Sequence, residues 1–435
     1  MAGLLIVASG CAARTVPTDE PGGADSAQAE DVERREAPPA GGERLDREAV
    51  TRETERLLAE VARARDLAVT RKVKVDVIDK PGIREFVRKT LYEDMTREEL
   101  VMLGRIESSF GVIPVGSDPE RVLLDLLEDG VLGLYDPKSK TLLIGDFVPK
   151  SMLSMVVGHE IAHGLQDMHF DLKALQKPLR HRSDAESARR FLLEGEAQAA
   201  YLSWVSGEEG LDAFEDPVLD AMGNQNLEWM GDVSPYPTLA RSLQMPYADG
   251  TATVIRLARR KGWAAVTALY DDMPTTTEQM LHLDKLLARE PAVGVHIEPT
   301  PIADRLGLSK IWHDDLGEAS LLCMLAEVER ATAARRAAAG WGGDAFVVFD
   351  DPKKPLPAPV VIGLVTWDSE RDAEEFEASF GKYLQPGARG HAGIDGSFLQ
   401  RRGSDVLYGL HVPKEVEREA LTEAAWRAIK VGETR

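Results

Sequence analysis

The sequence predicts an α+β fold: a mostly helical core carrying a small mixed sheet, followed by a small α+β module. Three patterns predict it. Apolar residues recur at helical spacing through residues 150–165 and again over 191–201. Two short apolar runs flank a polar turn at 137–140, the pattern of a β-hairpin. After residue 344 strand-like and helix-like segments alternate, as in a compact α+β unit. At 435 residues the chain can build two or three domains with substantial cores.

Met1 to Gly10 are small and apolar and lead straight to Cys11. About ten apolar residues cannot span a bilayer, which takes roughly twenty, so residues 1–11 read as a signal-peptide segment. Ala8-Ser9-Gly10-Cys11 resembles a lipobox, which implies a lipidated Cys11 and a place in the cell envelope, on the outer membrane or surface. The segment departs from that pattern in having no basic residues ahead of it and no leucine three places before Cys11. Residues 12–43 are rich in Ala, Pro, Gly and Glu without apolar periodicity, a composition that reads as a disordered tether.

A mainly helical region is expected over 44–125, opening with a helix at Arg47–Arg65 and including one strand at Val73–Ile78. The core is expected over 126–337. It begins with the hairpin Gly130–Asp136 and Thr141–Asp146. Pro149 and Ser151 then mark a helix start, and Leu153, Val156, Val157, Ile161 and Leu165 supply its buried face. Cys323 sits in an apolar helix and is expected to act as a small buried hydrophobe. The Gly-rich stretch 338–344 breaks the helical pattern and opens the C-terminal module, 338–435. Its expected elements are strands at Ala345–Phe349 and Val360–Trp367, a helix Ser369–Tyr383, a strand Asp405–Val412 and a helix Glu415–Ile429.

The formal charge of −21, from 52 basic and 73 acidic residues, argues against nucleic acid as a partner. No other apolar run is long enough to span a bilayer, so membrane contact is expected only through Cys11.

His159-Glu160-Ile161-Ala162-His163 carries the chemistry. On a helix, positions four apart share a face, so His159 and His163 can bind one Zn2+ through ring nitrogens. Glu160 then sits where a carboxylate can take a proton from a water activated by the ion. A catalytic zinc site uses a third protein ligand. Glu194 is favoured, because Leu192, Leu193 and Ala197 turn its face inward; His169 and Glu196 are the alternatives. His169 stands where HExxHxxGxxH would place a third histidine, but Gln166 occupies the position of the required glycine. Asp167 and Asp171 are candidates to accept hydrogen bonds from the ligand imidazoles, or are simple helix-end carboxylates.

Glu194-Gly195-Glu196-Ala197 resembles the E-G-x-A element that supplies the glutamate ligand in gluzincin peptidases. Pro246-Tyr247-Ala248-Asp249-Gly250 is similar to the element whose tyrosine steadies the tetrahedral intermediate in gluzincin aminopeptidases. The implied counterpart is Tyr247, with Tyr236 a weaker competitor and a local core role the alternative. Over roughly residues 130–270 the resemblance implies a zincin-like core and a zinc-dependent peptidase. Its sheet would have an edge strand able to line the cleft and pair with an extended peptide. The G-x-M-E-N segment that anchors a substrate amino terminus in the aminopeptidases is missing ahead of His159, so an endopeptidase is the expectation. His163–Leu172 and Thr275–His282 also resemble segments of a poorly characterised group of bacterial and archaeal metallopeptidases. Two other classes stay open: a non-catalytic peptide- or protein-binding lipoprotein on the same scaffold, and a zinc hydrolase of a non-peptide substrate.

Overall fold

The computed structural model describes residues 44–128, 130–387 and 391–434, so the expected signal segment, tether and lipidated Cys11 lie outside the described residues. The fold is α+β. Helix α1 (Arg47–Arg65) is capped by Asp46, which accepts from the Ala49 N–H at 2.6 Å, and buries Val50, Leu57 and Val61 against the core. Strand β1 (Lys74–Ile78) follows, then α2 (Lys80–Asp94), α3 (Arg97–Ser109) and α4 (Pro119–Glu128). A reciprocal capping box between Thr96 and Glu99 starts α3.

The hairpin is β2 (Gly133–Asp136) and β3 (Thr141–Gly145). β3 is central: β2 pairs with it antiparallel and β1 parallel, giving a small mixed sheet in the order β1-β3-β2. Against it lies α5 (Leu153–His169), which carries the HExxH residues and is entered through a 3₁₀ turn at Lys150–Met152. Asp167, near the end of α5, ties the helix to the hairpin. It accepts from the Tyr135 hydroxyl at 2.7 Å and from Lys140 Nζ at 2.7 and 2.9 Å, and it pairs with Arg71.

A short helix α6 (Leu172–Leu175) leads to the long α7 (Ser183–Val205), packed between α5 and α1. Then come α8 (Asp216–Val233), α9 (Pro237–Met245), a π-helical turn at Pro246–Gly250 and α10 (Thr251–Lys261). Three short helices follow: α11 (Trp263–Ala268), α12 (Thr277–Leu281) and α13 (Leu283–Ala288). Beyond them lie β4 (Val293–Ile297), α14 (Thr300–Leu306), β5 (Ser309–Asp314), α15 (Gly317–Leu325) and α16 (Ala331–Ala338). Cys323 in α15 is fully buried, with Sγ 3.2 Å from Met245 Sδ. The chain ends with β6 (Trp341–Asp350), β7 (Val360–Trp367), α17 (Glu370–Tyr383), β8 (Phe398–Arg402), β9 (Asp405–Leu410), α18 (Arg418–Ala428) and β10 (Ile429–Thr434). Among the described residues no helix is long and apolar enough to cross a membrane.

The second sheet is antiparallel throughout, in the order β5-β6-β7-β9-β8. It starts earlier than the module expected from residue 338, because its edge strand β5 lies at 309–314. Strands β6 and β7 are buried along their whole length, since both faces are covered. Ala345, Val347 and Phe349 pack with Val295, Ile302 and Leu421 on one face, while Phe346 and Val348 join the cluster containing Phe376 and Phe380 on the other. Trp341–Asp344, read as a break, belongs to β6. A register irregularity lies between Trp341 and Gly343, and a Cβ on Gly343 would stand 2.2 Å from the Val293 carbonyl oxygen.

A carboxylate network joins the helical core to this sheet. Asp184, at the start of α7, accepts from the Thr277 N–H at 3.0 Å and hydroxyl at 2.5 Å, while its own N–H donates to Asp315 at 2.8 Å. Asp344 accepts from the N–H groups of Leu316 and Gly317 and from the Trp341 indole. Burial, followed by the charges of Asp344 and Glu318, raises the Asp184 carboxyl to about 7 against the pull of the Thr277 bonds. Burial similarly raises Asp344 to about 6, and Asp315 lies well above the ordinary carboxyl range. A carboxyl raised on folding holds its proton in the native state longer than in the unfolded chain. Its contribution to stability is therefore complete at low pH and is lost as pH rises through the folded values. Asp184→Asn keeps an acceptor for Thr277 and is expected to remove part of that loss, up to roughly 4 kcal/mol between about pH 4 and pH 8. Melting temperature against pH for both proteins checks this; parallel curves would contradict it.

Candidate metal centre

His159, Glu160 and His163 project from the middle of α5, where every residue from Val156 to Asp167 is buried. One turn of helix separates the two histidines, and their rings meet edge to face with centroids 4.9 Å apart. Glu194 comes from α7. Its Oε2 lies 3.3 Å from His159 Nε2 and 3.2 Å from His163 Nε2, and the two ring nitrogens are 3.2 Å from each other. His159, His163 and Glu194 are at most 1% exposed and form a donor set able to hold a metal ion. Among the described residues a second acidic set, Glu278, Glu290 and Asp368, surrounds Lys285 Nζ at 2.9, 2.5 and 2.7 Å, so an ammonium already fills it.

Two glutamines orient the rings. Gln166 Nε2 donates to the Leu193 carbonyl at 2.8 Å and to Glu196 at 3.1 Å, which turns its Oε1 toward His163 Nδ1 at 2.8 Å. Gln198 Oε1 stands 3.1 Å from His159 Nδ1. An amide oxygen only accepts, so each Nδ1 carries a proton and each Nε2 faces the cluster. Burial pushes both imidazoles toward the neutral form, and at His159 it prevails. At His163 the charge and hydrogen bond of Glu194 override burial and raise the pKa to about 9. Burial acts in the opposite sense on Glu194, but the imidazoles hold its carboxyl well below the usual range. The three groups together call for a positive charge between them.

The other candidates lie elsewhere. Glu196 is as buried as Glu194 but does not join the cluster: it accepts from Arg65 Nε at 2.5 Å, from the Tyr270 hydroxyl and from Gln166, and so stands behind the glutamine that meets His163. His169, six residues past His163, hydrogen-bonds the Ala68 carbonyl at 2.8 Å. Asp167 serves the hairpin, and Asp171 caps α6 through the Ala174 N–H at 3.1 Å. The roles considered for these two aspartates beside the imidazoles belong instead to Gln166 and Gln198. Helical spacing could have flagged both, since Gln166 is three residues past His163 and Gln198 four past Glu194.

Tyr247 is half-buried in the π-helical turn, its ring centroid 5.6 Å from that of His159. Tyr236 instead precedes α9 and packs on the hydrophobic core. Two glycines set the approach of the turn. A Cβ on Gly195 would lie 2.3 Å from the Gly250 carbonyl carbon, and one on Gly250 would lie 2.4 Å from the Phe191 carbonyl oxygen. Backbone therefore rests on backbone, which brings Tyr247 over the cluster. Gly195→Ala is expected to push the turn away and to destabilise the fold by about 1–3 kcal/mol. A urea titration measures the loss; an unchanged midpoint would show that the turn yields freely.

Residues 305–410 match the profile of a domain of unknown function (DUF8575), which covers β5 to β9 and none of the cluster residues. No curated protein and no solved structure matches the chain.

Proposed function

We propose that this chain is a zinc-dependent metallopeptidase with a gluzincin-like centre on a zincin-like core, His159, His163 and Glu194 being the residues that would hold the ion. One observation carries the reading: two imidazole nitrogens with committed partners on their far side face a carboxylate, all three atoms 3.2–3.3 Å apart. Tetrahedral zinc with bonds of about 2.0–2.1 Å needs donors roughly 3.3–3.4 Å apart. Two lone pairs facing each other inside a protein are costly unless a proton or a cation lies between them.

When bound, zinc supplies a Lewis acid that polarises a carbonyl and makes water a better nucleophile. The remaining work falls to the chain. Glu160, fully buried beside His159, takes a proton from the attacking water. As the C–N bond breaks it passes that proton to the leaving nitrogen, giving a carboxylic acid and an amine, and the acid's proton then moves to the amine to leave a carboxylate and an ammonium. The Tyr247 phenol donates a hydrogen bond to the oxyanion, stronger in the transition state than to the ground-state carbonyl. Gln166 and Gln198 keep both rings aligned throughout. Strand β2, an edge strand of the sheet packed on α5, would receive an extended substrate by main-chain pairing.

The test is the zinc content of the purified protein together with cleavage of a proteome-derived peptide library, read by mass spectrometry of new termini. About one zinc per chain and metal-dependent cleavage are expected. Protein that holds no stoichiometric zinc and cleaves nothing with zinc added would defeat the proposal. Zinc bound tightly without any cleavage would mark a binding protein on the same scaffold.

A further inference from the structure

A cavity of about 440 Å³ opens between α2, the β2–β3 turn and α6, lined by different residues from the metal cluster. Its size falls in the range of small-molecule sites, roughly 300–1,000 Å³. Phe86, Leu91, Met95 and Leu134 give it an apolar component. Four lysines from three separate elements line it: Lys89 from α2, Lys138 from the turn, and Lys173 and Lys177 from α6 and the chain just beyond.

Four lysines around one cavity stand out in a chain of net charge −21. Three carboxylates share the lining, Glu93, Asp94 and Asp136, and two of them are already committed. Asp136 is spent inside the turn, accepting from the Lys138 and Ser139 N–H groups at 2.9 and 3.2 Å and from the Ser139 hydroxyl at 2.6 Å. Glu93 pairs with Lys138. Lys89, Lys173 and Lys177 make no ion pair with a described residue, and Asp94 is the one remaining carboxylate of the lining. Four ammonium groups against three carboxylates leave a surplus of about one positive charge, carried by the ammoniums without an ion pair. The ammoniums also feel one another: burial, then the charges of Lys173 and Lys89, lowers the Lys138 pKa. Lysine binds phosphate as a point charge from a flexible stem, so several lysines can close on one anion.

We propose that this cavity binds a phosphate monoester carrying an apolar group. A phosphate monoester has a charge of about −1.5 to −2 at neutral pH and three acceptor oxygens to offer Lys89, Lys173 and Lys177, and the apolar lining takes the substituent. Such a ligand comes either free in solution or as the headgroup of a lipid. The wall residue Tyr135 links the site to α5 through its hydroxyl bond to Asp167, so occupancy is built against the helix that carries the metal cluster.

The probe is phenyl phosphate, titrated calorimetrically into the full chain, with benzoate as the singly charged comparison. Saturable binding of phenyl phosphate, weaker binding of benzoate, and at least about fivefold weaker phenyl phosphate binding in K173Q/K177Q are expected. K353Q/K354Q removes the same charge from exposed positions outside the cavity and should leave affinity unchanged. Cosedimentation with vesicles of phosphatidylcholine and phosphatidic acid, lost in K173Q/K177Q, would assign the site to a lipid. Binding of phenyl phosphate without vesicle binding would assign it to a free ligand. No saturable binding of phenyl phosphate, equal affinity for benzoate, or equal losses in the two double variants would overturn the proposal. Both lysine pairs are solvent-exposed, and matching melting temperatures would exclude unfolding as a cause.

Discussion

Glu160→Gln is expected to leave zinc content unchanged and to lower kcat by about 10²–10⁴-fold, the usual worth of a general base. Glutamine has the shape of glutamate and keeps the helix packed, so a site as buried as this one should retain its geometry. What disappears is the group that accepts a proton from water. KM should change little, because Glu160 is assigned a proton-transfer role and no contact with the uncharged parts of a substrate. Zinc analysis and steady-state kinetics on one cleaved peptide check both halves. Retained kcat would remove Glu160 from the mechanism and shift attention to another base.

Glu194→Ala should have the largest effect on the metal. It deletes one of three donors and leaves His159 and His163 Nε2 facing each other at 3.2 Å with no carboxylate beside them. Zinc affinity should fall by more than about 100-fold, the upper end of what losing even an outer-sphere partner costs. Gln166→Ala provides the graded comparison: it frees His163 Nδ1 but removes no donor, so the expected loss is about 10–100-fold. Competition with a chromophoric chelator orders the three proteins. Equal affinities for wild type and Glu194→Ala would place the ion elsewhere, and Glu196→Ala would then be the next variant to titrate.

Much of the fold was readable locally. The helix expected at Arg47–Arg65 spans those residues, and β7 covers the predicted Val360–Trp367, because caps, apolar spacing and β-branched runs are short-range signals. Strand β5 was not readable. Its Ser309–Asp314 run has a mostly exposed or half-buried pattern, and it is a strand because β6 pairs with it. Likewise Gly342 and Gly343 resemble a chain break, yet they are strand residues, and at Gly343 the β4 backbone packs too close for a side chain. The Thr275–His282 segment carried a family likeness, but its polar side chains are engaged structurally: Thr277 holds Asp184, and His282 meets Glu318 at 2.8 Å.

The sequence by itself determined that two imidazoles and a carboxylate could share one turn, since the spacing His159, Glu160, His163 needs only the geometry of an α-helix. Which carboxylate of α7 faces them was decided by tertiary structure alone. Glu194 and Glu196 are two residues apart, about 200° around the helix, and both are flanked by apolar neighbours. A helix buried on all sides carries no amphipathic signal to say which face meets which partner. Packing of α7 between α5 and α1 turned Glu194 toward the histidines and Glu196 toward Arg65. The same packing put Gln198 of α7 behind the His159 ring, a contact between separate helices, and placed the Leu193 carbonyl and Glu196 where they hold Gln166 against His163.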